Sequence, residues 1–260
     1  MATILEKIIA TKRKEIAQSK DALRADQLRA ALKDAPEPKN FHASLAATEG
    51  VALIAEIKKA SPSAGVLRDD FDPEQIAEIY CGHGATCLSV LTDQKYFQGS
   101  LEYLSMVRNK VDVPILRKDF ILDEYQIIEA RVSGADAVLL IAECLNDCEL
   151  RSLFNAIIDL GMTPLVEIYE KSNLERVLDI GATLIGVNNR NLHDFTINLD
   201  HVLQLRKEIP DECLVVGESG IRTRSDVLRL QAGNIDAILV GETFMRSSDV
   251  GVAVDRLLGN

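Results

Sequence analysis

Eight short apolar runs divide this chain from residue 51 onward, and their spacing is the strongest constraint on what it can fold into. They are VALIAEI (51–57), CLSVL (87–91), VPIL (113–116), DAVLLI (136–141), TPLVEI (163–168), LIGV (184–187), CLVVGE (213–218) and DAILV (236–240). Successive starts lie 36, 26, 23, 27, 21, 29 and 23 residues apart. Each interval is the length of one strand plus one crossover helix. The runs are continuous rather than alternating, as in parallel strands covered on both faces. Between them lie amphipathic stretches with helix signals. Asp72 caps DFDPEQIAEIY with Pro73 in its first turn. Ile127, Ile128 and Val132 stripe a segment that stops at Gly134, and Gly161 and Gly233 end two more; Gly181 marks the same helix-to-strand turn. Eight such units predict an α/β fold, a (β/α)8 TIM barrel. A doubly wound open sheet is the weaker alternative, because no GxGxxG follows the first run.

Residues 1–48 precede the barrel as a helical extension of a single domain spanning 1–260. Ile4, Leu5, Ile8, Ile9 and Ile16 fall at helical spacing. A second helix is expected over Asp21 to Lys33, carrying Leu23, Leu28 and Leu32, with Pro36 and Pro38 beyond it. The pair reads as a cap docked on the barrel; a partner-binding helix pair is the alternative.

Composition narrows the partners. Lys plus Arg total 29 against 40 Asp plus Glu, a net charge of −11 and a pI near 4.9. A nucleic-acid coat needs a basic footprint, and so does binding to anionic lipid. No apolar stretch reaches the roughly 18 residues of a membrane span, and the N-terminus lacks a signal-peptide core. The five cysteines (Cys81, Cys87, Cys144, Cys148, Cys213) form no CxxC, and His42, His83, His193 and His201 are scattered. A disulfide framework or zinc site is therefore not expected, and a reduced, cytoplasmic protein is. Trp is absent and Phe plus Tyr total 12, so the core must be aliphatic.

In such barrels the active site lies at the C-terminal ends of the strands. Those ends carry Glu56 and Lys58, then Ser89, Thr92 and Asp93, then Arg117, Lys118 and Asp119, then Glu167, Asn188, Asn189, Arg190, Glu218, Ser219 and Gly241. Glu56 and Lys58 are two apart and share a face. Alone they could be an ion pair that plugs the barrel; with Lys118, Glu167, Asn188 and Glu218 at the same end they suggest acid–base chemistry. A second lysine would lower a lysine's pKa and carboxylates would raise it. A lysine exchanging protons near neutral pH is a useful general acid, and Schiff-base chemistry at Lys118 stays open. GESGI (217–221) and VGETFM (240–245) open the loops where these barrels bind phosphate. Backbone amides of Gly220, Gly241 and Glu242 would face the anion, with the Glu242 side chain turned away. Ser61, in ASPSAG (60–65), could close over it. The rival reading is that these glycines serve only tight turns. Gly241→Asp is expected mainly to raise KM.

Taken in order, IAEIKKASPSAG (54–65), CLSVLTDQKYFQGS (87–100), PILRKDFI (114–121), PLVEI (164–168), IGVNNRNL (185–192), ESGI (218–221) and VGETFM (240–245) resemble the indole-3-glycerol phosphate synthase family of tryptophan biosynthesis. The resemblance covers nearly the whole chain, including the N-terminal helices. It implies a carboxy-lyase that cyclises 1-(2-carboxyphenylamino)-1-deoxyribulose 5-phosphate to indole-3-glycerol phosphate, losing carbon dioxide and water, without metal or organic cofactor. By this resemblance Lys118 is the general acid. Lys58 pairs with the substrate carboxylate and is a candidate acid for dehydration. Glu56 and Glu167 share the remaining proton transfers, their division open. Asn188, Arg190, Glu218 and Ser219 hold the anthranilate end and sugar hydroxyls, and Ser61, Gly220, Gly241 and Glu242 form the phosphate cradle. Ala64 departs from the Lys that many relatives carry in the SPSxG loop. Gly217 stands where Ser or Ala is frequent, with no consequence expected. The rivals are another phosphate-binding barrel of the phosphoribosylanthranilate isomerase kind, a retro-aldol lyase, and a non-catalytic binding or scaffold subunit. The expected partner is a small phosphorylated substrate, with no nucleic acid and no membrane. The chain is expected to act as a monomer, with association with other tryptophan-pathway enzymes open.

Overall fold

A computed structural model describes residues 3–191 and 196–260. Leu192, which closes the IGVNNRNL motif, and His193 lie outside the described residues. The eight apolar runs become β1 (Ala52–Ile57), β2 (Cys87–Leu91), β3 (Ile115–Lys118), β4 (Ala137–Ile141), β5 (Thr163–Ile168), β6 (Leu184–Asn188), β7 (Leu214–Glu218) and β8 (Ala237–Val240). Each pairs in parallel with the next, and β8 closes on β1 through Ala52↔Ala237 to Ala55↔Val240. The expected barrel is the observed one.

One strand is displaced from its expected place. β3 begins at Ile115 rather than 113, because Pro114 has no N–H to give and offers only its carbonyl, to the Leu88 amide at 2.9 Å. Its ladder with β2 runs from Leu88↔Ile115 to Leu91↔Lys118. Arg117 and Lys118 therefore lie within the strand, and period two sends them to opposite faces.

The helices are α1 (Ile4–Ala22), α2 (Ala25–Ala30), α3 (Phe41–Ala46), α4 (Pro73–Gly82), α5 (Gln94–Phe97), α6 (Leu101–Lys110), α7 (Glu124–Val132), α8 (Asp147–Asp159), α9 (Leu174–Asp179), α10 (Asp200–Arg206), α11 (Arg224–Ala232), α12 (Glu242–Met245) and α13 (Val250–Leu258). Asp72 caps α4 as expected, accepting from the Glu74 and Gln75 amides. The N-terminal extension differs from the sequence reading. A Thr3–Glu6 capping box starts α1, which continues through Asp21. Leu23 and Arg24 are extended, and only then does the short α2 begin. The break leaves Leu23 exposed but lets Leu28 pack on Tyr125 and Ile128 of α7. α3 was not anticipated, because six residues beyond two prolines carry no helical period.

The core has two shells. Outside the barrel, Leu53, Ala55 and Ile57 of β1 and their counterparts on the other strands meet the helices. Inside, the inward row begins with small residues, Ala52, Cys87, Ala137 and Ala237, and Phe41 and Leu45 of α3 complete that cluster. The extension thus plugs the N-terminal end of the barrel and leaves the other end for chemistry.

Candidate active site

The inward rows end in polar residues at the C-terminal mouth. Glu56 ends the row on β1, Lys118 on β3, Glu167 on β5, Asn188 on β6 and Glu218 on β7. All twelve residues singled out from the sequence border one cavity of about 550 Å3. They converge from six separate segments of chain, the ends of β1, β3, β5, β6, β7 and β8 with the loops that follow. Thr92, Asp93 and Arg117, also at strand ends, lie outside that lining. Ser89 sits one layer deeper, its buried hydroxyl unpartnered among the described residues.

Lys118 is the centre of the polar lining. Its ammonium donates to Glu167 Oε2 at 2.9 Å and to Glu218 Oε2. Asn188 Nδ2 donates to the other Glu167 oxygen at 3.2 Å, and Asn188 Oδ1 accepts from the Arg190 amide at 3.0 Å. Lys58 pairs with Glu56, whose carbonyl accepts from Tyr80 Oη. Burial pulls the Lys118 pKa down, but Glu167, Glu218 and Glu56 outweigh it and hold the group well above the ordinary lysine range. The lysine expected to exchange protons near neutrality is instead held in its ammonium form, the form that can donate a proton. That form cannot act as the amine of a Schiff base. Burial pushes Glu167 up, but Lys118 more than reverses this and keeps it ionised. Glu218 goes the other way: burial and the neighbouring Glu167 outweigh the pull of Lys118 and push it up to about 8. Two carboxyls flanking one cation thus divide the roles, one charged and one neutral at pH 7.

Two glycines make this packing possible. A Cβ on Gly186 of β6 would collide with Glu218 Oε1. A Cβ on Gly241 would collide with the Glu56 carboxylate and approach its Cβ to 2.9 Å. This revises the expectation for Gly241→Asp: kcat as well as KM should suffer, since Glu56 must move. Steady-state kinetics should show kcat down at least tenfold; a pure KM effect would mean Glu56 is not needed where it lies.

The phosphate-side loops are also in place. Ser219 and Gly220 both have positive φ, 66° and 80°, which swings the chain away from the end of β7. A side chain at Gly220 would strike Ile197. Ser61 lies in a hairpin of two short strands, Ala60–Ser61 and Gly65–Val66, and accepts from the Ala64 amide at 3.2 Å. Glu242 is held between two guanidiniums, Arg190 Nη2 at 3.2 Å and Arg246 Nε at 3.1 Å. Apolar side chains line the cavity as well, Ile4, Leu5 and Ile8 of α1 together with Phe97, Phe120 and Leu139, and Phe97 and Phe120 pack against each other. Sequence reasoning treated the α1 stripe as a docking surface and missed that its first two turns wall the site. It missed Gly186 and Arg246 too; a glycine inside a strand is the signal that could have flagged the first.

The indole-3-glycerol phosphate synthase family model matches residues 5–257 of this chain. The chain belongs to that family. The Rhodopirellula baltica indole-3-glycerol phosphate synthase is 53% identical over 258 residues, covering 99% of this chain and 100% of that one. The enzyme of the same name from Polaromonas naphthalenivorans is 49% identical over 265 residues, with both chains fully covered. Among solved structures, a 3-hexulose-6-phosphate synthase superposes with a TM-score of 0.65 at 13% identity, over 80% of this chain and 99% of that one. That likeness shows the barrel fold alone. The family's enzymes are decarboxylating lyases of tryptophan biosynthesis.

Proposed function

We propose that this site closes the indole ring of indole-3-glycerol phosphate from 1-(2-carboxyphenylamino)-1-deoxyribulose 5-phosphate, with Lys118 as the general acid. The observation that carries the reading is the buried Lys118 ammonium, held by Glu167 and Glu218 in a cavity lined also by apolar side chains and the phosphate-type loops. The apolar side chains take the aromatic ring, and Ser61, Gly220, Gly241 and the Glu242 amide take the phosphate. Arg190, freed from Glu242, adds positive charge there. Asn188, Glu218 and Ser219 meet the sugar, and Lys58 meets the ring carboxylate.

The chemistry follows from these placements. The ring carbon bearing the carboxylate attacks the ribulose carbonyl carbon, and the carbonyl oxygen takes a proton from Lys118 as charge develops. Carbon dioxide then leaves with the bond pair on the carbon side, restoring the aromatic ring. The anilino nitrogen expels the new hydroxyl as water, and a base removes the last carbon-bound proton. That departure needs an acid, drawn from Lys58 or the recharged Lys118, and a base, drawn from Glu56 or Glu167. Glu167, once it has taken that carbon-bound proton as the base, hands it across its hydrogen bond to the spent Lys118 amine and restores the ammonium.

The direct test uses the absence of Trp from the chain. Indole product should appear as emission against a nearly dark protein when the purified chain meets the ribulose phosphate; no gain in emission rejects the reading. A cytoplasmic enzyme acting on a small phosphorylated substrate suits it, as for a biosynthetic enzyme of this family. No described helix is long and apolar enough to cross a membrane.

The carboxyl of Glu218 gives the site a pH dependence. Below about pH 8 it is protonated, and Lys118 faces one ionised partner, Glu167. Above that pH both partners are ionised, the ammonium holds its proton more tightly, and it becomes a weaker acid. The kcat profile should therefore fall on the alkaline side with a midpoint near pH 8. Glu218→Gln mimics the neutral carboxyl and should remove that limb; a limb that persists in the variant assigns it to another group.

A further inference from the structure

A buried charge cluster outside the catalytic set centres on Lys12 of α1, a residue the proposed reaction does not use. Lys12 lies on the buried stripe between Ile8 and Ile16 and is 4% exposed. Its ammonium reaches Asp93 Oδ2 and Asp119 Oδ1, each at 2.9 Å, and Glu15 of its own helix at 2.8 Å. Both aspartates are almost completely buried. Arg117 completes the cluster, donating to Asp119 and to Thr92, which in turn donates to Asp119.

What these aspartates hold gives the cluster its meaning. The second oxygen of Asp93 caps α5, accepting from the amides of Tyr96 and Phe97 at 2.8 and 3.2 Å. Asp119 accepts from the Phe120 amide at 2.8 Å and directly follows Lys118. Phe97 and Phe120 pack 6.2 Å apart and line the cavity. Ile4, Leu5 and Ile8, on the turns of α1 just before Lys12, line the same cavity. One ammonium therefore joins three elements that are distant in sequence and meet around one pocket. Burying a lysine costs several kcal/mol unless it is paired, and an aliphatic residue would continue the Ile8–Ile16 stripe without that cost.

We propose that Lys12 is a positioning residue for substrate binding, holding α1, α5 and the end of β3 at the spacing that grips the aromatic ring. The proposal rests on the apolar lining of the cavity being the ring site. Lys12→Met leaves Asp119 with Arg117 and takes from Asp93 its one ion pair among the described residues, so the fold itself should weaken. Adding Asp93→Asn restores the charge balance and keeps an oxygen to cap α5. The two variants separate stability from positioning.

Thermal unfolding should show Lys12→Met with a lowered Tm and the double variant recovering most of it. In both, KM should stay raised about tenfold with kcat within threefold of wild type. Competition with an N-alkylated anthranilate lacking phosphate should weaken about tenfold in both, while inorganic phosphate binds as in wild type. If KM and analogue affinity recover together with Tm, or never change, Lys12 is only structural and the proposal fails. If the analogue binds wild type without competing with substrate, the ring-site reading falls, and the proposal with it.

Discussion

Lys118→Met should lower kcat by about 10³-fold, within the range by which a positioned general acid speeds proton transfer. Methionine keeps the length of the side chain and removes the proton and the charge. Inorganic phosphate, tested as a competitive ligand, should bind within a few-fold of its wild-type affinity, because the loops after β7 and β8 do not rest on Lys118. The fold should also survive, but for a specific reason. Losing the ammonium leaves Glu167 and Glu218 facing each other, and Glu218 is already pushed up to about 8. It should keep its proton through neutral pH, so no pair of bare carboxylates is created. A variant that turns over near the wild-type rate would remove Lys118 from the mechanism.

Gly186→Ala should be the most damaging single-methyl change in the barrel. The added Cβ occupies the place of Glu218 Oε1, a buried oxygen with no hydrogen-bond partner among the described residues. The carboxyl must swing away, taking its other oxygen off Lys118. Displacement by about 1 Å at a catalytic constellation costs on the order of 10²-fold in rate, and kcat should fall by about that factor with little change in Tm. Gly217→Ala on β7 is the matched control. Its Cβ would meet Ile235 Cγ2 at 3.6 Å, an ordinary contact on the outer shell, so activity should be retained. Equal losses in the two variants would mean a general intolerance of the strands rather than a vacancy kept for Glu218.

The barrel was legible because both faces of its strands are buried, which makes them continuous apolar runs at a regular interval. β3 was misplaced by two residues because Arg117 and Lys118, one on each face, make the strand look like a loop. The polar mouth was legible through period two: Glu56 and Lys58, two apart, could be put on one face without a structure. The position of Glu242 was legible, but its bridge between Arg190 and Arg246 was not, since it depends on how α12 faces β6. Lys12 was the least legible. A lysine at helical spacing among isoleucines looks like a charge on a solvated edge, and its partners Asp93 and Asp119 lie far along the chain. The apolar wall from Ile4, Leu5 and Ile8 was hidden for the same reason: a docking stripe and a pocket wall have one pattern.

General-acid catalysis by Lys118 requires an ammonium held by carboxylates rather than an amine poised to react. Lysine side chains labelled at Cε and Nζ, with Lys118 assigned by its absence from the Lys118→Met spectrum, report that state directly by NMR. Titrated from pH 6 to 10, the Lys118 resonance should keep the shift of a charged lysine throughout. A resonance that moves to the neutral-amine position near pH 7 would contradict the general-acid mechanism derived from Glu167 and Glu218.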